Sequence, residues 1–334
     1  MTFLFLFISL AFFGANADQS VRPENGTGDV TFEAEGTTIA FGAPAPVGYF
    51  PGAVRLHITS GFMGAGRCSG TLIAPRLILT AAHCLVDGQN RLKERVRVEF
   101  PSLSRSARFR RMATDLRGNS VVASGYRRWQ DGKDIRDSGA RYDYALIRLP
   151  RDAPDASSRV TRIATLDELS TLRNWQVVIT GHGLLTHFDS GRIVLRQSDQ
   201  LQAGIVRLEQ PGDPGRMPRP NDFTGPVTEL YNPIEVDGVA RSLIVCFGDS
   251  GGGTYASSSI ETRGNTAQLR LLGINSRIDF GENDYDDLRF HDESSSGAVD
   301  PDQCISTGLG SIVTSVPAIS SQLTSMAAVL GIRL

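Results

Sequence analysis

The stretch that most constrains this chain is Cys246-Phe247-Gly248-Asp249-Ser250-Gly251-Gly252-Gly253. One serine stands between an aspartate and a run of glycines. Glycine has no Cβ, so such a stretch can turn tightly and approach another molecule closely. A turn of that kind can aim backbone N–H groups at one point, where a developing oxyanion would sit. A serine hydroxyl there is a weak nucleophile and needs a base. Upstream, Leu79-Thr80-Ala81-Ala82-His83-Cys84 offers a histidine, and Leu77 to Leu79 read as a strand that His83 and Cys84 end. Between the two, Tyr142-Asp143-Tyr144-Ala145-Leu146-Ile147-Arg148-Leu149 offers a carboxylate just ahead of an apolar strand. Asp87, Asp134 and Asp137 lack that flanking strand, so Asp143 is the better candidate to orient the histidine.

Three such motifs in the order His, Asp, Ser resemble the signatures of the chymotrypsin/trypsin-like serine proteases, an order that differs from those of subtilisins and α/β-hydrolases. The resemblance implies an all-β fold: two six-stranded antiparallel Greek-key barrels followed by a C-terminal α-helix. It implies Ser250 as nucleophile, His83 as general base and acid, and Asp143 as the group that holds the imidazole. It also implies an oxyanion hole from the N–H groups of Gly248 and Ser250, and disulfides Cys68–Cys84 and Cys246–Cys304. By count alone, four cysteines allow three pairings. None stands in a C-x-x-C, which argues against a zinc site, and no metal or cofactor is expected.

With 334 residues, 40% hydrophobic and 21% charged, the chain has the composition of a soluble globular protein with room for two modest cores. A net charge of −2 gives no reason to expect a nucleic-acid partner. The arginine-rich run with Arg105, Arg108, Arg110 and Arg111 reads as a solvated face.

Residues 1–17 read as a signal peptide, with an apolar run from Phe3 to Phe13 and a small-residue site at Ala15-Asn16-Ala17. No basic residue precedes the run. The rival reading is a membrane anchor, for which the run is short. The expected mature protein is therefore secreted, extracellular or periplasmic, with no membrane attachment after signal cleavage. Residues 18–38 are polar and read as a pro-segment. From Ile39, the segment resembles the family's mature start, which implies that a freed Ile39 amine pairs with the buried Asp249. Thr38 departs from the basic residue usual at such a cleavage site, and an ordinary first strand is the alternative. Residues 39–165 are expected to form the first barrel, 166–316 the second, and 317–334 the helix, with Pro150 to Asn174, rich in Pro, Ser and Asp, reading as the connection between the barrels. In that last segment Ile319, Leu323, Met326 and Leu330 share one face, Pro317 opens it and Gly331 closes it.

Two departures bear on specificity. The family's pocket floor corresponds to Ile244, beside Val245, and neither is charged. A buried guanidinium would find no partner there, so apolar or small residues are expected before the scissile bond. Arg277 stands in a Ser276-Arg277-Ile278 segment where the family carries a tryptophan. Phe247 and Ser311 are expected at the pocket rim and wall. His182, within Gly181-His182-Gly183, also replaces a tryptophan. The acidic loop Glu282–Asp302 reads as solvated. The implied partners are protein or peptide substrates and macromolecular protease inhibitors. The alternative is a protease-fold binding protein without catalysis, against which stands the presence of all three triad residues.

Overall fold

In Arg95-Val96-Arg97-Val98-Glu99-Phe100 apolar and polar residues alternate, and Val96, Val98 and Phe100 point into a core while Arg95 and Arg97 face solvent. That period of two is the signature of a half-buried strand. The computed structural model describes residues 43–45, 47–59, 65–87, 89–101, 110–126, 141–171, 176–189, 192–197, 200–208, 223–231, 233–236, 239–242, 245–246, 248–257, 269–279 and 310–334. In chain order the strands are β1 (Ala43–Pro44), β2 (Ala53–Thr59), β3 (Ala65–Ala74), β4 (Leu77–Thr80), β5 (Arg95–Phe100), β6 (Arg110–Asp115), β7 (Ser120–Val122), β8 (Ala145–Arg148), β9 (Arg162–Ile163) and β10 (Gln176–Gly181). They continue as β11 (Leu184–Asp189), β12 (Arg192–Gln197), β13 (Gln202–Leu208), β14 (Val227–Tyr231), β15 (Pro233–Val236), β16 (Val239–Ser242), β17 (Gly253–Ser257), β18 (Arg270–Asp279) and β19 (Gly310–Ser315). The α-helices are α1 (Ala82–Leu85), α2 (Ala156–Arg159), α3 (Leu166–Thr171) and α4 (Ser320–Val329).

The first sheet has the order β6-β5-β2-β3-β4-β8-β7, all antiparallel. Its two end strands, β6 and β7, are separated only by residues 116–119. The turn between them stays in the ladder, through Leu116 N–H to Glu94 O at 2.8 Å and Arg148 N–H to Asn119 O at 2.7 Å. β6 and β7 are thus halves of one bent strand, and the sheet curls round to bring its ends together. In the second sheet the path β13-β10-β17-β18-β19-β14 closes through a β13–β14 pairing, a ring of six. β1 adds to β13, and β9 runs parallel to β18. Among the described residues the hairpins β11–β12 and β15–β16 pair only within themselves. The all-β, two-sheet architecture with its C-terminal helix agrees with the sequence reading.

Three local features differ from it. His83 and Cys84, expected to end a strand, form the one-turn helix α1. The stretch read as a plain connection contains α2, β9 and α3. The short strands at 43–44 and 162–163 pair with the second sheet, not the first.

One core runs from the first barrel, through Leu56, Leu72, Leu79 and Leu146, across the seam to Tyr255 and Ile274, and on to Leu323 of α4. The second barrel has its own cluster around Val177, Ile179, Phe223, Leu272 and Val313. At the seam the Tyr255 ring lies 5.0 Å from Phe50, and its hydroxyl is 3.2 Å from Thr71 Oγ1. On the polar face of β5, Glu99 is buried yet ionised. Burial alone would raise its pKa, but His57 and Arg55 against the carboxylate bring it down to about 2. Arg55 Nε at 2.9 Å and Arg111 Nε at 2.7 Å supply the pairing that a buried charge requires.

The helix α4 is seated by buried Leu323, Met326 and Ala327, and Arg148 Nη1 donates to Leu330 O at 3.1 Å. Ile319 and Leu330 are also buried, and Gly331 takes a φ of +70°, as expected for the residue after a helix end. Replacing Leu323 by alanine should cost about 2–5 kcal/mol, measured as the change in unfolding free energy in urea titrations.

Candidate active site

The seam gathers the three motif residues. α1 begins one residue after β4, so the antiparallel pairing of β4 with β8 sets His83 beside Asp143, which stands two residues before β8 starts at Ala145. Asp143 is 3% exposed. Its Oδ2 lies 2.8 Å from His83 Nδ1, and its Oδ1 accepts the His83 backbone N–H at 2.9 Å. Ser276 Oγ donates to the same Oδ2 at 2.5 Å. Ser276 sits where β18 shifts register between Asn275 and Arg277, and such an irregularity re-aims a side chain out of the regular alternation. Burial would raise the Asp143 pKa, but the charge of His83 and the hydrogen bonds from His83 and Ser276 outweigh it and hold the carboxyl below its ordinary value. A carboxylate held in this way fixes the imidazole ring and steadies its protonated form.

Ser250 comes to the seam from the second barrel. Its carbonyl accepts the Ser69 N–H at 2.8 Å, which docks the serine loop on β3. The Cys84 sulfur touches both partners, 3.7 Å from Ser250 O and 3.9 Å from His83 Nε2. Cys84 and Cys68 form a disulfide across 16 residues, so the histidine turn is tied to the strand that carries Ser69. Cys68, His83 and Cys84 lie close enough to look like metal ligands, but both sulfurs are in the disulfide and offer no thiolate.

Around Ser250 the backbone is tightly accounted for. Asp249 N–H goes to Cys246 O, Gly251 N–H to Asn275 O and Gly252 N–H to Asp249 O, at 2.9, 2.7 and 2.9 Å. Among the described residues, the N–H groups of Gly248 and Ser250 donate to nothing. Gly251 has a φ of +79°, and a Cβ there would stand 2.2 Å from Thr80 Oγ1 and 2.4 Å from Ser69 O. Glycine alone fits such a position. Asn275, wholly buried, ties the loop to β18 through its carbonyl, which accepts Gly251 N–H, and through Nδ2, which donates to Asp249 O at 3.3 Å and to Thr180 O of β10 at 2.8 Å.

Asp249 is the second buried carboxylate. Its Oδ1 accepts Gly183 N–H at 2.8 Å and its Oδ2 accepts Cys246 N–H at 3.0 Å. Burial pushes its carboxyl up to about 7 against these two bonds. Gly181 and Gly183 form its cradle, since a Cβ on Gly181 would lie 2.0 Å from Asp249 Oδ1. His182 between them is 2% exposed, and neither of its ring nitrogens has a hydrogen-bond partner among the described residues. Burial brings its pKa down to about 3, so it packs as a neutral ring.

Val245 and Ser311 are both buried, and Val245 N–H donates to Ser311 Oγ at 2.9 Å. Arg277 and Ile278 pair through their backbones with Ile312 and Ser311. Cys246 is disulfide-bonded. Its expected partner Cys304 lies outside the described residues, as do Ile39, Ile244, Phe247, the signal and pro-segment, and the Glu282–Asp302 loop. Sequence reasoning missed Ser69 and Asn275, which serve the site through hydrogen bonds between distant segments, and it read Gly181-His182-Gly183 as a turn without seeing the carboxylate it cradles. The one available signal was the placement of Ser69 beside Cys68.

Residues 39–291 match the family model described as Trypsin. The chain belongs to the trypsin family. It is a trypsin-like serine peptidase by kinship, and the His83–Asp143 pair and the Ser250 loop lie inside the matched span. Among the described residues no helix is long and apolar enough to cross a membrane.

The cradle makes a sharp prediction. Gly181→Ala should unfold the Asp249 loop or cost about 3 kcal/mol or more. Gly225→Ala, whose Cβ would meet only Val227 O at 3.9 Å, should stay within about 0.5 kcal/mol. Thermal denaturation of the purified variants compares the two.

Proposed function

We propose that this trypsin-family chain is a secreted serine endopeptidase that cleaves peptide bonds through an acyl-enzyme. Ser250 attacks the carbonyl carbon, and His83 takes the hydroxyl proton. The tetrahedral oxyanion is met by the N–H groups of Gly248 and Ser250. His83 then gives its proton to the leaving amine, and water, deprotonated by the same imidazole, releases the acid. Asp143 holds the His83 tautomer throughout. The observation that carries this reading is the pair of unspent N–H groups at Gly248 and Ser250, in a loop where the amides of Cys246, Asp249, Gly251 and Gly252 are committed. Preset donors of this kind are each worth about 3–4 kcal/mol of transition-state stabilisation.

Substrates are proteins or peptides, bound extended. Among the described residues β18 has no β17 partner beyond Ile274, which leaves the edge at Ser276-Arg277-Ile278 to take an added strand. The pocket prefers apolar or small residues, because the wall at Val245 and Ser311 is buried and uncharged and Ile244 brings no acid. Macromolecular protease inhibitors that present such a strand would bind the same edge. Residues 1–17 direct export, the Cys246–Cys304 disulfide braces the serine loop, and no cofactor takes part. The test is hydrolysis of peptide anilides with Ala, Val, Leu, Phe, Arg or Glu before the bond. The apolar and small residues should lead the charged ones by about tenfold or more, and Ser250→Ala should abolish turnover. A preference for Arg would overturn the specificity, and equal turnover by Ser250→Ala would overturn the mechanism.

The proposal includes activation by cleavage after Thr38, with the Ile39 ammonium entering beside Asp249. Until then Asp249 sits at a pKa of about 7 against an ordinary 3.8. The folded chain then holds a proton that the unfolded chain gives up, so stability should fall as pH rises through that window. An ammonium partner favours the carboxylate and reverses the sign. Unfolding midpoints taken from pH 4 to 8 should show the fall in the uncleaved protein relative to Asp249→Asn. A chain that begins at Ile39 should not show it.

A further inference from the structure

Ser69 lies in β3 next to Cys68 and is 1% exposed. Four hydrogen bonds leave it for three other segments. Its N–H donates to Ser250 O at 2.8 Å, and its Oγ donates to Gly248 O at 2.8 Å. The same Oγ accepts His182 N–H at 2.8 Å, and its carbonyl accepts Thr80 Oγ1–H at 2.7 Å. The two residues whose N–H groups face the proposed oxyanion thus have both their carbonyls held by one residue.

We propose that the Ser69 hydroxyl is a positioning group that presets the oxyanion hole, a role that rests on the serine-peptidase reading above. The backbone bond from Ser69 to Ser250 survives any side chain at position 69. The bond to Gly248 does not. Gly248 has a φ of +95°, and as a glycine it can rotate at little cost once released. Removing the hydroxyl takes the partner from the part-buried Gly248 carbonyl and from the buried His182 N–H. A stranded buried group is costly, so the loop relaxes to rehydrate or re-pair them. That relaxation turns the Gly248–Asp249 peptide, and rotation about the Gly248 Cα passes the change to the preceding peptide, whose Gly248 N–H then leaves the oxyanion position. Nothing nearby substitutes: the Thr80 hydroxyl is committed to the Ser69 carbonyl, and the neutral His182 ring makes no hydrogen bond among the described residues. The second tie, to His182, joins the same hydroxyl to the Gly181–Gly183 turn that cradles Asp249. Ser69 therefore couples the cradle to the loop it supports.

The test uses the full secreted protein, wild type and Ser69→Ala, with active sites counted by fluorophosphonate titration. For Ser69→Ala, kcat per titrated site should fall about tenfold to a hundredfold, with KM within about twofold. Affinity for a peptide aldehyde, whose adduct oxygen occupies the oxyanion position, should weaken in step. A purely structural residue would lower the titratable fraction and leave kcat per site alone. Ser69→Gly, which leaves room for a water at the stranded groups, serves if the alanine variant does not fold, and the same loss per site is expected. Unchanged kcat per site and unchanged aldehyde affinity would overturn the proposal. A wild type that neither takes the label nor turns over substrate would instead overturn the serine-peptidase reading, and the Ser69 proposal with it.

Discussion

Asp143 and Asp249 are both sealed at the seam between two β-barrels, and a carboxylate out of water must be met by donors or give up its charge. Asp143 is met by His83 and Ser276 and keeps its charge. Asp249 is met by two backbone N–H groups and is pushed towards neutrality. These two solutions arrange the rest of the site. The first fixes a histidine from one barrel with the help of a serine from the other. The second folds the serine loop around an acid that glycines cradle.

The seam itself is knit in the same way. Ser69 from the first barrel and Asn275 from the second supply hydrogen bonds that the serine loop cannot make within itself, and they are held in turn by the Thr80 hydroxyl and the Thr180 carbonyl. Tyr255 and Phe50 fill the apolar part of the junction. The three motif residues come from different barrels, so their geometry depends on this packing as much as on their own loops. The Cys68–Cys84 disulfide adds a covalent tie at the point where the histidine turn meets the strand under Ser250. Closing a loop of that size is worth about 3 kcal/mol in the chain-entropy picture.

Much of this was legible from residues alone. Alternation in β2 and β5, the apolar stretch of β8, and the Pro317-to-Gly331 helix pattern follow from local periodicity and stop signals, which need no tertiary information. The motifs around His83, Asp143 and Ser250 carry their chemistry in residue type and order. The rest depends on contacts between segments far apart in the chain. Nothing local says that Glu99 is buried under Arg55 and Arg111, because its place in β5 reads as solvent-facing. Nothing local says that the Ser69 hydroxyl reaches Gly248 across 179 residues. The hairpin β11–β12 was not anticipated either, and His83 was placed on a strand because the apolar run of β4 leads straight into it. One turn of helix is too short to leave a periodic signal.

The central claim is that Ser250 forms an acyl-enzyme with help from His83 and Asp143. Its most direct test is to react the secreted protein with an activated acyl ester, quench in acid, and map the adduct by peptide mass spectrometry. The account predicts one acyl group, on Ser250, formed at a rate that Asp143→Asn slows by about 10⁴-fold. Acylation elsewhere, or at an undiminished rate in that variant, would contradict it.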